Sequence, residues 1–240
     1  MKFTMKKFHL VRKYANYPTW DEKQNDPKIK VMFKYKVIDN FLNKEDFDRL
    51  NSIKLDEIPH NSIKVYHNEI DLNKKLITNS FDEKIIRDLQ ENYHNKTFEI
   101  LKELNYEKSK LYEYSDFTII KTGRNYKFPI HDDTPNKLLS GVIYLYPEQN
   151  KGTIIYKNKK GEDKRIIEWK QNRSLFFSRE EKITWHSYEG NNTSDRVALV
   201  YNLMTTQIKK VFEIEKKSYI FGKLRWKLNP YLYQYFKLYL

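Results

Sequence analysis

The side chains best equipped for chemistry in this 240-residue chain sit in the stretch KFPIHDDTPNK, residues 127–137. His131 and Asp133 are two apart, so on an extended strand they leave the same face and Asp132 leaves the opposite one. An imidazole beside a carboxylate is a metal chelate, or equally the polar end of a strand running into a turn at Thr134-Pro135-Asn136. The pair alone carries little weight, because His67-Asn68-Glu69 repeats the spacing and short motifs recur by chance. The residues downstream of each pair separate the two. Beyond Asp133 come His186, in KITWHSYEG, and Arg196, which opens the apolar run RVALVYNLM. Two histidines and a carboxylate can hold a divalent ion and leave three positions of an octahedron open, and an arginine on the next strand could grip the far end of a dicarboxylate. The histidines after His67, His94 and His131, precede no such strand. Taken singly, His186 reads as a satisfied polar residue, Arg196 as a surface charge and Tyr144 as core filling. Their joint placement is what points to a site.

Such residues need strands to present them. From about residue 112 the chain becomes a series of short β-rich runs: SDFTIIKT, LLSGVIYLY, GTIIYK, RIIEW, RSLFFS, KITWHSY and RVALVYNLM, with glycines at 123, 141, 152, 161 and 190 between them or at their edges. The earlier half has helical periodicity. Asn43 is placed to cap a short helix bearing Phe47, Leu50 and Ile53, and Ser80-Phe81-Asp82-Glu83 has the capping-box form before Ile86, Leu89, Tyr93, Thr97, Ile100 and Leu104. The expectation is one α+β, β-rich domain over 1–240: a basic N-terminal segment over 1–34, a strand and support helices over 35–111, a sandwich or barrel over 112–208 and a basic aromatic tail over 209–240. In the tail, Leu224, Leu228, Leu232 and Phe236 have the spacing of a helix packed on the barrel. The alternative is a contact for an anionic membrane surface or single-stranded nucleic acid.

Composition narrows the chemistry. With no cysteine in the chain, disulfides, thiolate zinc sites and cysteine nucleophiles are excluded, so a metal must sit on His, Asp or Glu. The formal charge is +13, but lysine far outnumbers arginine and the only alanines are Ala15 and Ala198. That is the imprint of AT-rich codons, so the basicity does not require a nucleic-acid or membrane partner. No apolar run reaches spanning length, and a cytoplasmic protein is expected.

The HxD turn and the distal histidine stand among segments with a common likeness. FKYKVIDNFLNKEDFDRL, LLSGVIYLYPE, NKGTIIY and NRSLFFS, in that order, resemble the Fe(II)/2-oxoglutarate-dependent dioxygenases, particularly the prolyl-hydroxylase-like branch. The resemblance implies a double-stranded β-helix, a jelly-roll or cupin-like barrel, supported by helices from the N-terminal half. It implies Fe(II) on His131, Asp133 and His186, with 2-oxoglutarate and dioxygen as cosubstrates. Arg196 matches the residue that binds the C5 carboxylate, and Tyr144 matches a tyrosine that bonds to the same group. The activity implied is hydroxylation of a peptide or small metabolite with release of succinate and CO2; a barrel kept as a non-catalytic binding module is the alternative. By strand alternation Arg196, Ala198, Val200 and Asn202 should line the interior, while Lys121, Arg124, Tyr126, Lys127 and Trp185 are expected at a solvated rim, the alternative being that they face an anionic or aromatic substrate. Two departures stand out: a single glycine, Gly152, where a pair is common, and Ala198 where some branches carry serine.

Overall fold

In the computed structural model, which describes residues 34–236, each of the seven β-rich runs forms a strand. Twelve strands occur among the described residues: β1 (Tyr35–Ile38), β2 (Ile63–Tyr66), β3 (Glu69–Asp71), β4 (Leu76–Thr78), β5 (Tyr114–Thr122), β6 (Lys127–His131), β7 (Lys137–Tyr146), β8 (Thr153–Ile155), β9 (Arg165–Ile167), β10 (Ser174–Phe177), β11 (His186–Glu189) and β12 (Arg196–Met204). The helices are α1 (Lys44–Asn51), α2 (Glu83–Leu104), α3 (Tyr106–Ser109), α4 (Ile208–Ile214) and α5 (Tyr219–Phe236). The basic N-terminal segment expected over 1–34 lies outside the described residues apart from Lys34.

Two antiparallel sheets result. The larger runs β1-β10-β7-β12-β5-β3-β4, with β2 also on β5, and the smaller runs β6-β11-β8-β9. Alternation along the long strands gives the large sheet two different faces. On one face Phe117 and Ile119 of β5, Ile143 and Leu145 of β7 and Leu199, Tyr201 and Leu203 of β12 join the main core with α2. On the other, Leu175 and Phe177 of β10 meet Ile155 and Ile167 of the small sheet. The sheets therefore stack as a sandwich, and the space between them is lined by the residues one step out of phase with the core.

Helix α2 is the support that its periodicity predicts. Ile86, Leu89, Tyr93, Thr97 and Ile100 are all buried, and Leu104 packs at the core's edge; each large apolar side chain of this stripe contributes roughly 1.5–3 kcal/mol. Its start differs from the capping-box expectation. Asp82 is the N-cap, accepting from the Lys84 amide, while Ser80 donates its hydroxyl to the His67 carbonyl and its amide to Asn68 Oδ1. A carboxylate two residues nearer the free amides is the stronger acceptor for them. Asn43 caps α1 as its position suggests.

The tail forms helix α5, but not with the face its leucines suggest. Leu224 and Leu228 are exposed, whereas Gly222 and Arg225 are buried. Gly222 lies so close to the Phe212 ring that a Cβ would meet it at 2.2 Å; the helix approaches α4 through its smallest residue. Leu232 is half-buried, and the side chain of Phe236 is outside the described ones.

Candidate metal centre

Strands β6 and β11 pair antiparallel with His131 directly opposite His186, so register alone brings two distant histidines together. Their ring centroids are 4.2 Å apart. Each Nδ1 lies 3.0 Å from a carbonyl two residues earlier, that of Pro129 for His131 and that of Thr184 for His186. A carbonyl only accepts, so Nδ1–H donates in both rings, which leaves Nε2 as the nitrogen free to face a metal. Burial, and next the neighbouring His186, push the His131 pKa down to about 3, which keeps that ring neutral.

Asp133 lies in the turn after β6. Lys137 Nζ donates to its Oδ1 at 2.7 Å and Ser140 Oγ to its Oδ2 at 2.6 Å. Burial opposes its ionisation, but Lys137 and the two imidazoles outweigh that and hold it well below the usual carboxylate range. His186 Nε2 is 3.9 Å from Asp133 Oδ2, and one ligand atom from each of the three residues lies within 4.8 Å of the others. Two imidazole nitrogens and one carboxylate oxygen converging in this way fit a divalent first-row metal. Among the described residues no other group of three does so. His67 instead contacts Thr118 Oγ1 through Nδ1 at 3.3 Å.

These three residues open into a cavity of about 340 Å³ between the sheets. Arg196, Ala198, Val200 and Asn202 all line it, as alternation along β12 predicts. Arg196 is buried, and among the described residues its Nε and Nη1 have no hydrogen-bond partner. Aromatic faces surround the guanidinium instead: Tyr188 at 4.3 Å, Trp169 at 5.1 Å and Tyr144 at 5.6 Å from Cζ. Burial lowers the Arg196 pKa, yet an arginine stays charged in proteins. An ionised group removed from water without an acid is costly, and two donors without a partner could receive a carboxylate.

Tyr144 stands behind this cation. Its hydroxyl donates to Thr153 Oγ1 at 2.9 Å and accepts from the Thr153 amide at 3.0 Å, and its ring stacks on Trp169. Gly152, immediately before, permits that approach: a Cβ would fall 1.7 Å from the Ile167 carbonyl oxygen. One glycine suffices here.

Several contributors were not apparent from the sequence. Asp132, on the opposite side of the turn from the ligands, pairs with Arg225 of α5, whose Nη1 also reaches Glu181 at 2.9 Å. Arg179 pairs with Glu181, donates to Glu215 Oε2 at 2.9 Å and sends Nε to the Asp133 carbonyl at 2.9 Å. Lys108 Nζ completes the set on Glu215 Oε1 at 2.6 Å. Three cations and three carboxylates thus interlock behind the segments that carry His131, Asp133 and His186. The only local signal was alternation, which turns Asp132 away from His131 and Asp133. Trp185 is not at a rim: it is buried with Ile154 and Tyr156, and its Nε1 donates to the Lys182 carbonyl. Lys121 and Arg124 are held by Asp56, Asp195 and His60 outside the cavity.

No protein-family model matches the chain, and no curated protein matches it in sequence. Solved structures do match. The chain is similar to an oxidoreductase of the 2OG-Fe(II) oxygenase family from Burkholderia pseudomallei, at TM-score 0.53 and 14% identity over 71% of this chain and 84% of that one. It is similar to IDO from Bacillus thuringiensis, at TM-score 0.54 and 11% identity over 72% and 94%. A prolyl hydroxylase from Trichoplax adhaerens, solved with a hypoxia inducible factor oxygen degradation domain peptide fragment, matches at TM-score 0.50 and 14% identity over 74% and 86%. At these identities the likeness is one of fold: the chain has the jelly-roll architecture found in 2OG-Fe(II) oxygenases.

Proposed function

We propose that the protein is an Fe(II)- and 2-oxoglutarate-dependent dioxygenase that hydroxylates a peptidyl or small-molecule substrate, with release of succinate and CO2. The observation that carries this reading is the unpaired, ring-enclosed Arg196 in the same cavity as the convergent His131, Asp133 and His186. Those three residues would hold the iron. Bound there, Fe(II) would supply the dioxygen chemistry that couples oxidative decarboxylation of 2-oxoglutarate to hydroxylation of a C–H bond.

The remaining work belongs to the chain. Tyr188 and His186 are two residues apart on β11 and both line the cavity, a separation of roughly 6–7 Å at the usual strand rise. Arg196 lies against Tyr188, so a five-carbon diacid can span from the metal ligands to the guanidinium. Its Nε and Nη1 would donate to the C5 carboxylate, and Tyr144, Trp169 and Tyr188 would keep water from that pair. Tyr144 serves this end of the cavity through its ring and through Thr153. Lys137 and Ser140 hold the Asp133 carboxylate in one orientation by donating to both oxygens. Ile63, Val65, Ile120 and Phe128 give the cavity an apolar wall against which a substrate would pack. The peptide in the Trichoplax structure favours a peptidyl substrate here, and the reducing cytoplasm, which keeps iron ferrous, is where we assign the activity. Anaerobic addition of Fe(II) and 2-oxoglutarate should give a weak visible charge-transfer band. A protein that binds neither Mn(II) nor 2-oxoglutarate would refute the reading.

A further inference from the structure

Helix α5 has one face that its own fold uses and one that it does not. Inward it presents Gly222 to Phe212 and Arg225 to Asp132. At 3.6 residues per turn, Ile220, Tyr231, Leu224, Tyr235, Leu228 and Phe221 fall in sequence around a single outward arc of roughly 100°. They are exposed by 76, 64, 54, 69, 40 and 75% respectively. No polar residue interrupts the arc. Lys227 and Lys223 border it on one side, and Lys223 also lines a groove between α4 and α5 with Lys209, Lys210 and Trp226. From Lys216 to the end of the chain there are six Lys and Arg and no Asp or Glu.

We propose that this face docks on an anionic lipid surface, with the apolar arc entering the acyl boundary and the lysines lying at the headgroups. The charge pattern selects this occupant. A second copy would face the arc with the same acid-free helix, setting lysines against lysines. Nucleic acid would satisfy the lysines but leave Ile220, Leu224 and Leu228 in water. An anionic bilayer takes both components. No described helix is long and apolar enough to cross a membrane, so the mode is one of lying in the interface. The proposal stands independently of the oxygenase reading.

The test is co-sedimentation of the full chain with phosphatidylcholine vesicles, with or without about a third of phosphatidylserine. Binding should require the anionic lipid and should weaken at least tenfold when salt is raised to about 0.5 M. Lys223→Gln with Lys227→Gln should weaken it roughly 30-fold, at about fivefold per charge, and Phe221→Ser with Leu224→Ser at least tenfold. Both pairs should melt as the wild type does, because the altered side chains are exposed. Equal binding to neutral vesicles, or binding unchanged by both pairs of substitutions, would overturn the proposal. So would a dimer dissolved by the Phe221/Leu224 pair, which would make the occupant a second copy. Tighter binding to an oligonucleotide that needs the lysines but not Phe221 would overturn it in favour of nucleic acid.

Discussion

Replacing Arg196 by methionine should separate ligand binding from stability. A lone charge taken out of water costs several kcal/mol even after relaxation. Against this, the three rings around the Arg196 guanidinium, at 4.3, 5.1 and 5.6 Å, return about 0.5–2 kcal/mol each. The two contributions nearly cancel, and an apolar, flexible methionine can pack among the aromatic faces that the guanidinium leaves. Arg196→Met should therefore leave the stability of the ligand-free protein within about 2 kcal/mol of wild type, a change of at most roughly 8 °C at this size. Arg225 is the contrasting case. It is also buried but satisfied by Asp132 and Glu181, and Arg225→Met leaves Asp132 buried without its cation, while Glu181 keeps Arg179, at a cost of about 3–5 kcal/mol. Binding should show the reverse order. Loss of a charge-assisted pair worth about 1.5–3 kcal/mol should raise the 2-oxoglutarate Kd by roughly 10- to 100-fold in Arg196→Met, and folded Arg225→Met should lose far less. Urea unfolding gives the first quantity, and calorimetric titration with Mn(II) in place of iron gives the second. An Arg196→Met protein that is severely destabilised yet binds 2-oxoglutarate as tightly as wild type would refute the assignment of Arg196 as a receptor.

Alanine at His131, Asp133 or His186 should abolish specific Mn(II) binding, read by electron paramagnetic resonance, while His67→Ala retains it; loss of the metal in the His67 variant instead would mean the wrong pair was chosen. Gly152→Ala forces a Cβ against the Ile167 carbonyl and should cost about 1–3 kcal/mol, with weaker 2-oxoglutarate binding because the adjoining Thr153 lines the cavity; a neutral effect on both would show that β8 and β9 can part freely. Burial, and next Asp46, raise the Tyr93 pKa well above the ordinary phenol range. The stability from its protonated form is therefore complete below pH ~10 and is lost as pH rises above it. Tyr93→Phe should lose about 1 kcal/mol at neutral pH but decline less steeply in urea melts above pH ~10, and an unchanged alkaline slope would rule out this source.

The parts of the fold legible in the sequence are those whose information is local. RVALVYNLM alternates in phase with a buried and a cavity face, so β12 and its four inward residues could be read directly, and the stripe of α2 follows the same logic with a different period. Strands β2 to β4 were not legible: at four, three and three residues they are too short to display a period, and pairing to β5 and to each other defines them. The orientation of α5 was misread because spacing reveals a stripe but not which stripe turns inward. Leu224 and Leu228 look like core and are exposed, while Arg225 looks like surface and is buried. Its partner Asp132 is 93 residues away, and no window on the sequence contains both.

That long-range pair bears on how the centre is built. If His131 and Asp133 face the cavity, Asp132 must face away from it, and α5 covers the place to which it points. The residue between His131 and Asp133 therefore cannot be apolar without abandoning Arg225, nor merely acidic without acquiring a cation. Arg225 meets that requirement and also takes one oxygen of Glu181, whose other oxygen takes Arg179; Arg179 in turn holds the Asp133 carbonyl. The same chain of ion pairs thus secures the turn at His131 and Asp133 and the segment leading to His186. Its charges balance three against three, so no single member can be removed without leaving a net buried charge. A helix whose outward face is apolar and basic is in this way tied by its inward face to the segments that carry His131, Asp133 and His186, so whatever settles on the outside of α5 acts on an element joined to them.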